Sequence, residues 1–286
     1  MKIAIAIATT GRPGIVGEAL ARFMRLDRKA DRLLVVGASQ SDAPTEPHDA
    51  GFAISPTKGS SAQRNHALDL IGDDADVIVF VDDDFAPAPG LLEGVERLFA
   101  EHADIVAASG ELIADGATRG GYTFEQADAF ISAWRTPIVE QLRDSWGAYG
   151  CNMAYRRASA PQLRFDENLP LYGWLEDTDF SARYARFGRV VRCNHFAGVH
   201  LGVRSGRVSG VRLGYSQIAN PLYLLRKGTA APSFALTLAA RNMLSNIVKS
   251  IRPEPDIDRR GRLRGNLLAL ADALRGRADP RRILEL

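Results

Sequence analysis

Short apolar runs alternate with amphipathic segments over the first 110 residues. The apolar runs predict strands buried on both faces: Ile3–Ala8, Leu33–Val36, Val77–Val81 and Ile105–Ala108. Apolar residues at helical spacing predict helices between them: Ile15–Leu26, Ala62–Ile71 and Leu91–Glu101. Strands and helices that alternate at this spacing predict βαβ units, and therefore an α/β fold with a parallel sheet flanked by helices.

The remaining segments are less regular in the middle of the chain and helical at its end. Two polar stretches, Ala38–Pro56 and Gly110–Gly121, are expected to be loops. Phe124–Leu142 and Phe180–Phe187 are expected to be helices. Beyond Gly210 the apolar residues recur at helical spacing, which predicts a helical C-terminal region.

Three aspartates follow the third predicted strand directly. Asp82, Asp83 and Asp84 therefore lie at the carboxyl end of a parallel strand, where open α/β sheets bind ligands. In an extended chain Asp82 and Asp84 point to one side and Asp83 to the other. Adjacent carboxylates repel each other, and a shared divalent cation relieves that repulsion. The aspartates are therefore candidates for a metal site, with a solvated acidic turn as the alternative.

Composition narrows the class of protein. The chain has 286 residues, 46% of them hydrophobic, which suffices for one large core. The formal net charge of +2 creates no general basic field, so we expect no nucleic-acid partner. Two cysteines, Cys151 and Cys193, are too few for a disulfide framework. The N-terminus begins with a strand and a turn, and no apolar run reaches about 18 residues, so we expect a cytoplasmic protein without a membrane span.

Four motifs follow one another in a specific order. They are the strand and loop Ile7–Pro13, the run Gly59–Asn65 ending in Ala-x-Arg-Asn, the triplet Asp82–Asp84, and Gly173–Asp177, which is Gly-Trp-Leu-Glu-Asp. Together they resemble the motifs of inverting family-2 glycosyltransferases with the GT-A fold. The segment Gly150–Arg157 is also similar to the segment that this family has before the last motif. The resemblance covers roughly residues 1 to 200.

This resemblance implies a Rossmann-like GT-A fold, with a mostly parallel sheet flanked by helices. It implies a catalytic domain over residues 1–210, with a nucleotide-sugar half (1–110) and an acceptor half (111–210), ahead of the helical C-terminal region (211–286). The implied reaction is metal-dependent, inverting transfer of a sugar from a nucleoside-diphosphate sugar, with a UDP-sugar expected first, to a hydroxyl acceptor. Mg²⁺ or Mn²⁺ is expected, because oxygen ligands favour hard cations.

The motif positions also imply roles for individual residues. Asp177 is the candidate base, and Glu176 would bind the acceptor or support the base, although both acids also suit a helix N-terminus. Asp84 is the main candidate metal ligand, with Asp82 and His200 as further ligands. The remaining candidates are Thr9, Thr10, Arg12, Arg64, Asp82 and Asp83 at the donor, and Trp174 and Asn152 at the acceptor.

Several of these side chains have structural alternatives. Trp174 would also suit core packing, Arg64 a solvated helix face, and His200 a structural role. His195, His66 and the two cysteines are interpreted as structural.

One apolar stripe marks the C-terminal region: Leu263, Leu267, Leu270 and Leu274, flanked by Arg259, Arg260, Arg262, Arg264 and Arg275. A basic amphipathic helix can lie on an anionic membrane, which would suit a lipid-linked saccharide acceptor and a position at the inner face of the membrane. The alternative is that the stripe packs on the catalytic domain or on a second subunit of an oligomer. Family analogy places the reaction in cell-surface polysaccharide or glycolipid assembly.

Two other functions fit an α/β protein with acidic strand ends. A sugar-phosphate nucleotidyltransferase opens with a Gly-rich loop followed by a lysine, whereas the loop Thr9–Gly14 has two glycines and no lysine. A non-catalytic carbohydrate-binding protein would not need the acids of Asp82–Asp84 and Glu176–Asp177. The sequence therefore favours glycosyl transfer over both alternatives.

Overall fold

The structure is a computed structural model that describes residues 1–45, 49–118, 120–135, 137, 139–203, 209–254 and 257–286. The strands within these ranges are β1 (Ile3–Thr9), β2 (Arg32–Gly37), β3 (Gly51–Ile54), β4 (Val77–Asp82), β5 (Phe85–Pro87), β6 (Ile105–Asp115), β7 (Leu142–Asp144), β8 (Asn152–Arg156) and β9 (Arg189–His200). The helices are α1 (Pro13–Phe23), α2 (Ser60–Ile71), α3 (Leu91–Glu101), α4 (Phe124–Ala133), α5 (Glu176–Tyr184), α6 (Gly210–Lys227), α7 (Pro232–Ile251) and α8 (Arg259–Leu274).

The strands form one mixed sheet in the order β3-β2-β1-β4-β8-β6-β9-β5, and β7 pairs with another part of β9. The first four strands of this order are parallel, as the alternation of strands and helices predicts. Strand β8 is antiparallel to both β4 and β6 and separates them. The predicted α/β class is therefore confirmed, and the sheet is parallel on one side and mixed on the other.

Helices cover both faces of the sheet because successive strand residues point to opposite sides. Ile3, Ile5 and Ile7 of β1 pack in the cluster that holds the apolar faces of α1 and α3. Ala4 and Ala6 of the same strand pack in the cluster that holds residues of α2 and α5. Burial on both faces explains why these strands have continuous apolar runs.

Three segments differ from the predicted elements. Strand β3 lies within the stretch Ala38–Pro56, which was expected to be a loop; it is a short edge strand with four partly or fully exposed residues. Strand β6 continues to Asp115, into the second expected loop, because its end pairs with β9. The helix expected over Phe124–Leu142 ends at Ala133, and Leu142 instead begins β7.

Helices α6 and α8 pack through small residues. A Cβ atom added to Gly214 of α6 would lie 2.1 Å from the carbonyl oxygen of Arg262, and one on Gly265 of α8 would lie 2.1 Å from that of Val211. The backbones of α6 and α8 are therefore in direct contact. Helix α6 also contacts the preceding part of the chain, since Asn220 Nδ2 donates to the carbonyl oxygen of Trp174 at 2.7 Å. The domain boundary at residue 210 stays a prediction.

The leucine stripe of α8 does not form this interface. The buried residues of α8 are Arg259, Gly265, Asn266, Ala269 and Asp272. Asn266 belongs to a buried amide cluster with Gln217 and Asn246. Because polar and small residues occupy the inner face, three of the four leucines point outward: Leu267 is 55%, Leu270 39% and Leu274 82% exposed, whereas Leu263 is half-buried. Packing of this stripe on the catalytic part of the chain, one of the two expected alternatives, is therefore wrong for these three exposed leucines.

None of the described helices combines the length and the apolar character that crossing a membrane requires.

Candidate active site

A cleft of about 1000 Å³ lies at the carboxyl ends of β1, β4 and β9. Its walls include Thr9 at the end of β1, Asp82 at the end of β4 and His200 at the end of β9. The N-terminus of α5, with Glu176 and Asp177, lines the same cleft. The sheet topology therefore gathers residues that are far apart in sequence at the edge where open sheets bind ligands.

Asp82, Asp84 and His200 converge in this cleft. Each offers one ligand atom, and these three atoms lie within 4.8 Å of one another. His200 Nε2 is 3.5 Å from Asp84 Oδ1 and 3.8 Å from Asp82 Oδ2. The pairing of β5 with β9, which sets Phe85 opposite His200, brings the histidine beside the aspartates.

The imidazole of His200 is held by a residue that sequence analysis missed. The parallel register of β6 and β9 pairs Asp115 with His200, and Asp115 Oδ1 lies 2.8 Å from His200 Nδ1. Burial alone would lower the pKa of His200, but hydrogen bonds with Asp115 and Asp84 outweigh burial and raise it. A carboxylate at Nδ1 fixes the ring so that Nε2 points at the aspartates. Only the strand register reveals Asp115, because its segment was expected to be a loop.

The three aspartates divide between two sets of partners. Asp84 Oδ2 accepts a hydrogen bond from the backbone N–H of Val203 at 2.7 Å. Asp83 points away and accepts hydrogen bonds from Thr9 Oγ1 at 2.7 Å and from Arg12 Nη1 at 2.9 Å. Burial opposes ionisation of Asp84, but His200 and Arg12 outweigh burial and lower its pKa. Asp83 therefore ties the β1 loop to the end of β4, while Asp82 and Asp84 face His200.

The β1 loop is further fixed by two residues without a predicted role. Gln63 is buried, and its Nε2 donates to the carbonyl oxygens of Thr9 and Val36, both at 2.7 Å. Asp42 is also buried and accepts a hydrogen bond from the backbone N–H of Gly11 at 2.6 Å. Thr10 Oγ1 lies 3.4 Å from Gln63 Oε1. These bonds hold the end of β1 in one position at the cleft.

Arg64 joins the two sides of the cleft. Its Nη2 donates to Asp82 Oδ1 at 3.1 Å and to the carbonyl oxygen of Gly150 at 3.1 Å, and its Nη1 contacts the carboxylate of Glu176. The side chain of Arg64 is 5% exposed and that of Glu176 is 9% exposed, so their ion pair is shielded from water, whereas Asp82 is 37% exposed. Arg64 is thus a buried bridge between carboxylates, rather than the solvated helix arginine of the structural alternative.

The two acids at the start of α5 have different environments. Asp177 is half-buried, and its oxygens accept hydrogen bonds from the backbone N–H groups of Gly150 at 2.8 Å and Thr178 at 2.6 Å. Burial raises the pKa of Asp177, and the Gly150 hydrogen bond opposes this. Glu176 is more deeply buried and pairs with Arg64. Asp177 is therefore the more accessible of the two carboxylates, while the helix N-terminus also stabilises both charges.

The backbone before α5 is held in an uncommon conformation. Leu171 and Leu175 have φ values of 58° and 75°, in the left-handed region that non-glycine residues rarely adopt. Ser60 N–H donates to the carbonyl oxygen of Leu171 at 2.8 Å, which fixes this loop to the start of α2. Non-glycine residues in this region cost on the order of 1 kcal/mol each, and such conformations cluster at functional sites.

The expected acceptor residues lie in different places. Trp174 lines the cleft and also packs against the buried Leu169 and Leu224, and its contact with the acceptor stays a prediction. Asn152 is fully buried in β8 and is not among the described residues that line the cleft. The structure therefore does not bring Asn152 to the acceptor side. Tyr149 and Tyr172, which sequence analysis did not single out, line the cleft instead.

Solved structures share this architecture. Mannosyltransferase PcManGT from Pyrobaculum calidifontis, in complex with GDP-Man and Mn²⁺, is 15% identical with a TM-score of 0.55, covering 99% of this chain and 85% of that chain. Residues 1–349 of TarS from S. aureus, in complex with UDP-GlcNAc, are 14% identical with a TM-score of 0.56, covering 99% and 83%. These similarities show the GT-A fold, as expected. No curated protein matches the chain significantly.

The sequence profile described as glycosyl transferase family 2 matches residues 6–164, which is more than half of the chain. The matched region includes Arg64 and Asp82–Asp84, whereas Asp177 and His200 lie beyond it. The match decides against the nucleotidyltransferase and the non-catalytic binding protein. The chain therefore belongs to glycosyl transferase family 2, and it is a glycosyltransferase with the GT-A fold.

Proposed function

We propose that the cleft binds a nucleoside-diphosphate sugar with a divalent cation and transfers the sugar, with inversion, to a hydroxyl acceptor. One observation carries this proposal. The Asp82–Asp84–His200 cluster and the α5 acids line one cleft, and Arg64 connects Asp82 with Glu176. The candidate metal site and the candidate base are therefore in the same cleft, where a donor and an acceptor would both bind. A UDP-sugar is the first expectation for the donor, and the TarS complex contains one.

The residues of the cluster fit a divalent cation. Asp82 and Asp84 supply oxygen ligands, as Mg²⁺ and Mn²⁺ prefer, and His200 adds an imidazole nitrogen, which suits Mn²⁺ better than Mg²⁺. The hydrogen bond from His200 to Asp115 is the outer contact that orients a ligand histidine. A bound cation would neutralise the charge that develops on the departing diphosphate.

The chain's own residues supply donor positioning. The Arg12 guanidinium lies 3.8 Å from Asp84 and lines the cleft, so it adds positive charge where a diphosphate would bind. Thr9 and Thr10 are at the end of β1, which Gln63 holds in place. We assign the donor contact to this loop.

Asp177 is the proposed base. It takes the proton of the acceptor hydroxyl while that oxygen forms a bond to the anomeric carbon and the bond from that carbon to the diphosphate breaks. Its half-buried position in the wall of the cleft supports this role. We propose that Glu176, through Arg64, positions the cleft wall, and that Trp174 contacts the acceptor sugar.

A donor panel tests the proposed function. Purified protein is mixed with UDP-, GDP- and dTDP-sugars, each with Mn²⁺ or with EDTA, and both the melting temperature and donor hydrolysis are measured. One donor is expected to raise the melting temperature and to be hydrolysed above background only with Mn²⁺, because a ligand of the native state stabilises it by mass action. Equal hydrolysis with EDTA would contradict the metal role, and no response to any nucleotide sugar would contradict the donor class.

We propose further that the C-terminal helices contact an anionic membrane, which suits a lipid-linked saccharide acceptor in polysaccharide or glycolipid assembly. Their outward apolar side chains, called here the C-terminal apolar face, are Leu236, Leu244, Ile247, Val248 and Ile251 of α7 and Leu267, Leu270 and Leu274 of α8. Arg260 and Arg264 line the groove between the two helices. Aliphatic side chains with neighbouring arginines match lipid chains below anionic headgroups.

Liposome flotation tests this contact. The protein is expected to float with anionic vesicles at low salt. With neutral vesicles it is expected to stay in the bottom fraction of the gradient. The double variant Leu244→Glu/Leu274→Glu should lose flotation by roughly tenfold or more, because charges replace exposed apolar side chains. Phe187→Glu, at a 55% exposed apolar position outside this face, is the matched control and should float normally. If the protein does not float, and if it forms a dimer that the double variant disrupts, the face would instead be assigned to contact with a second subunit.

A further inference from the structure

A second group of metal-ligating side chains lies outside the cleft. Glu101 is the last residue of α3, His102 follows it, and His195 is in β9. One ligand atom from each of the three lies within 4.8 Å of the others. None of them is among the described residues that line the cleft. Family resemblance gave no role to this group, and His195 was interpreted as structural.

The imidazole of His195 is buried, and no described residue forms a hydrogen bond with it. Its side chain is 0% exposed, and neither Nδ1 nor Nε2 makes a hydrogen bond to a described residue. The nearest carboxylate oxygen, Glu140 Oε1, is 3.5 Å from Nε2. Buried polar groups of native proteins almost always have a hydrogen-bonding or metal partner, so we expect this ring to have one.

The backbone around this group is firmly placed. Asn194, next to His195, accepts a hydrogen bond from Gln141 N–H and donates one to the carbonyl oxygen of Val139, each at 2.9 Å. These two bonds bracket Glu140 and hold it beside β9. On the other side, a Cβ atom added to Gly94 of α3 would lie 1.8 Å from the carbonyl oxygen of His195, so α3 rests directly on β9. Helix α3 and strand β9 therefore bring Glu101, His102 and His195 together, and the third segment places Glu140 beside His195.

We propose that Glu101, His102, Glu140 and His195 form a second metal site, one that takes Zn²⁺ or a similar transition-metal ion. Two imidazoles favour such an ion over Mg²⁺, and two carboxylates complete a four-coordinate set. Ligand atoms about 2 Å from Zn²⁺ lie closer together than they do here, so the set must contract. Glu101 and Glu140 are exposed and His102 is half-buried, which leaves them free to move towards His195. Arg97 lies 3.5 Å from Glu140, but an exposed pair of this kind is weak and easily displaced.

Such a site would cross-link the end of α3 to β9, the strand that also carries His200. The bound ion is expected to stabilise the fold, because the unfolded chain does not hold these ligands together. Since none of the four ligands is in the cleft, the site is independent of the proposed transfer reaction.

The test uses the full chain with Asp84→Asn, which weakens the cleft cluster, after removal of metal by a chelator. Co²⁺ is titrated as a spectroscopic probe, and melting temperature is measured with Zn²⁺. One equivalent of Co²⁺ is expected to bind with the strong visible absorption of a four-coordinate ion. Zn²⁺ at about a hundredfold excess over its dissociation constant is expected to raise the melting temperature by roughly 5 °C. Adding His102→Ala should abolish both effects, whereas His66→Ala, the matched control, should change neither.

Two results would overturn the proposal. Equal Co²⁺ absorption in the His102→Ala and His66→Ala chains would place the ion elsewhere. Absence of Co²⁺ binding to the Asp84→Asn chain, with one equivalent bound to the wild type, would assign the ion to the cleft alone. His102 is half-buried, its backbone makes hydrogen bonds that alanine keeps, and its ring packs on that of His195, so the alanine variant is expected to fold.

Discussion

Asp84→Asn is expected to reduce sugar transfer on the order of 10³-fold while leaving the fold intact. Asparagine has the same size and can still accept the hydrogen bond from Val203 N–H, but it removes the negative charge that faces His200 and Arg12. The variant should therefore bind Mn²⁺ more weakly and lose turnover with it. Turnover, Mn²⁺ affinity in the presence of donor, and melting temperature are the measurements.

The matched control for this substitution is Asp128→Asn. Asp128 also pairs with an arginine, Arg22, but its side chain is 51% exposed and it is not among the described residues that line the cleft. Its turnover should stay near that of the wild type. If Asp84→Asn retained wild-type turnover and Mn²⁺ affinity, the cluster with His200 would not be the metal site.

Asp177→Asn is expected to lower turnover by about 10²- to 10⁴-fold while leaving donor and metal binding unchanged. The asparagine oxygen can still accept from Gly150 N–H, but the amide nitrogen cannot accept from Thr178 N–H, so the melting temperature is measured beside turnover to detect any loss of stability. Asparagine cannot accept the proton of the acceptor hydroxyl at the moment of attack. The measurements are turnover with acceptor and the dissociation constant of the nucleotide sugar.

The variant Glu176→Gln tests whether the effect of Asp177→Asn comes from loss of the base or only from loss of a negative charge. It removes the same charge one residue earlier and disturbs the contact with Arg64, so the acceptor KM and the stability are expected to change more than turnover. Wild-type turnover in Asp177→Asn would move the base to another group. Loss of donor binding in that variant would assign Asp177 to the nucleotide or to the fold.

The sequence predicted the secondary structure where buried residues recur at regular spacing within one element. The runs that became β1 and β4 are apolar because helices cover both faces, and the aspartates follow from where β4 ends. Strand β3 escaped prediction because a short edge strand with exposed residues carries no burial pattern. The contact of Asp115 with His200 depends on a register between strands far apart in the chain, which no local pattern contains.

For other side chains, residue type alone did not indicate where they lie in the structure. Asn152 belongs to a segment that resembles the family, yet its position in β8 between two strands buries it. In α8 the leucines were the natural candidates for a packed face. Gly214 and Gly265 instead let two backbones meet, and an amide cluster fills the remaining space. A helix interface built from small and polar residues has no apolar periodicity, so the spacing of apolar residues does not predict it.

Arg64 gives the cleft a property that neither of its carboxylate partners has alone. Its guanidinium is shared between Asp82 and Glu176, so any ligand that draws Asp82 away changes how strongly Arg64 holds Glu176. If Asp82 serves the donor and Glu176 the acceptor side, as proposed, the two sides are linked through one cation. Thermodynamic reciprocity then requires that whatever the donor does to acceptor affinity, the acceptor does to donor affinity by the same factor. On the proposed assignment of the cleft, a single buried arginine is therefore expected to make donor binding and acceptor binding cooperative.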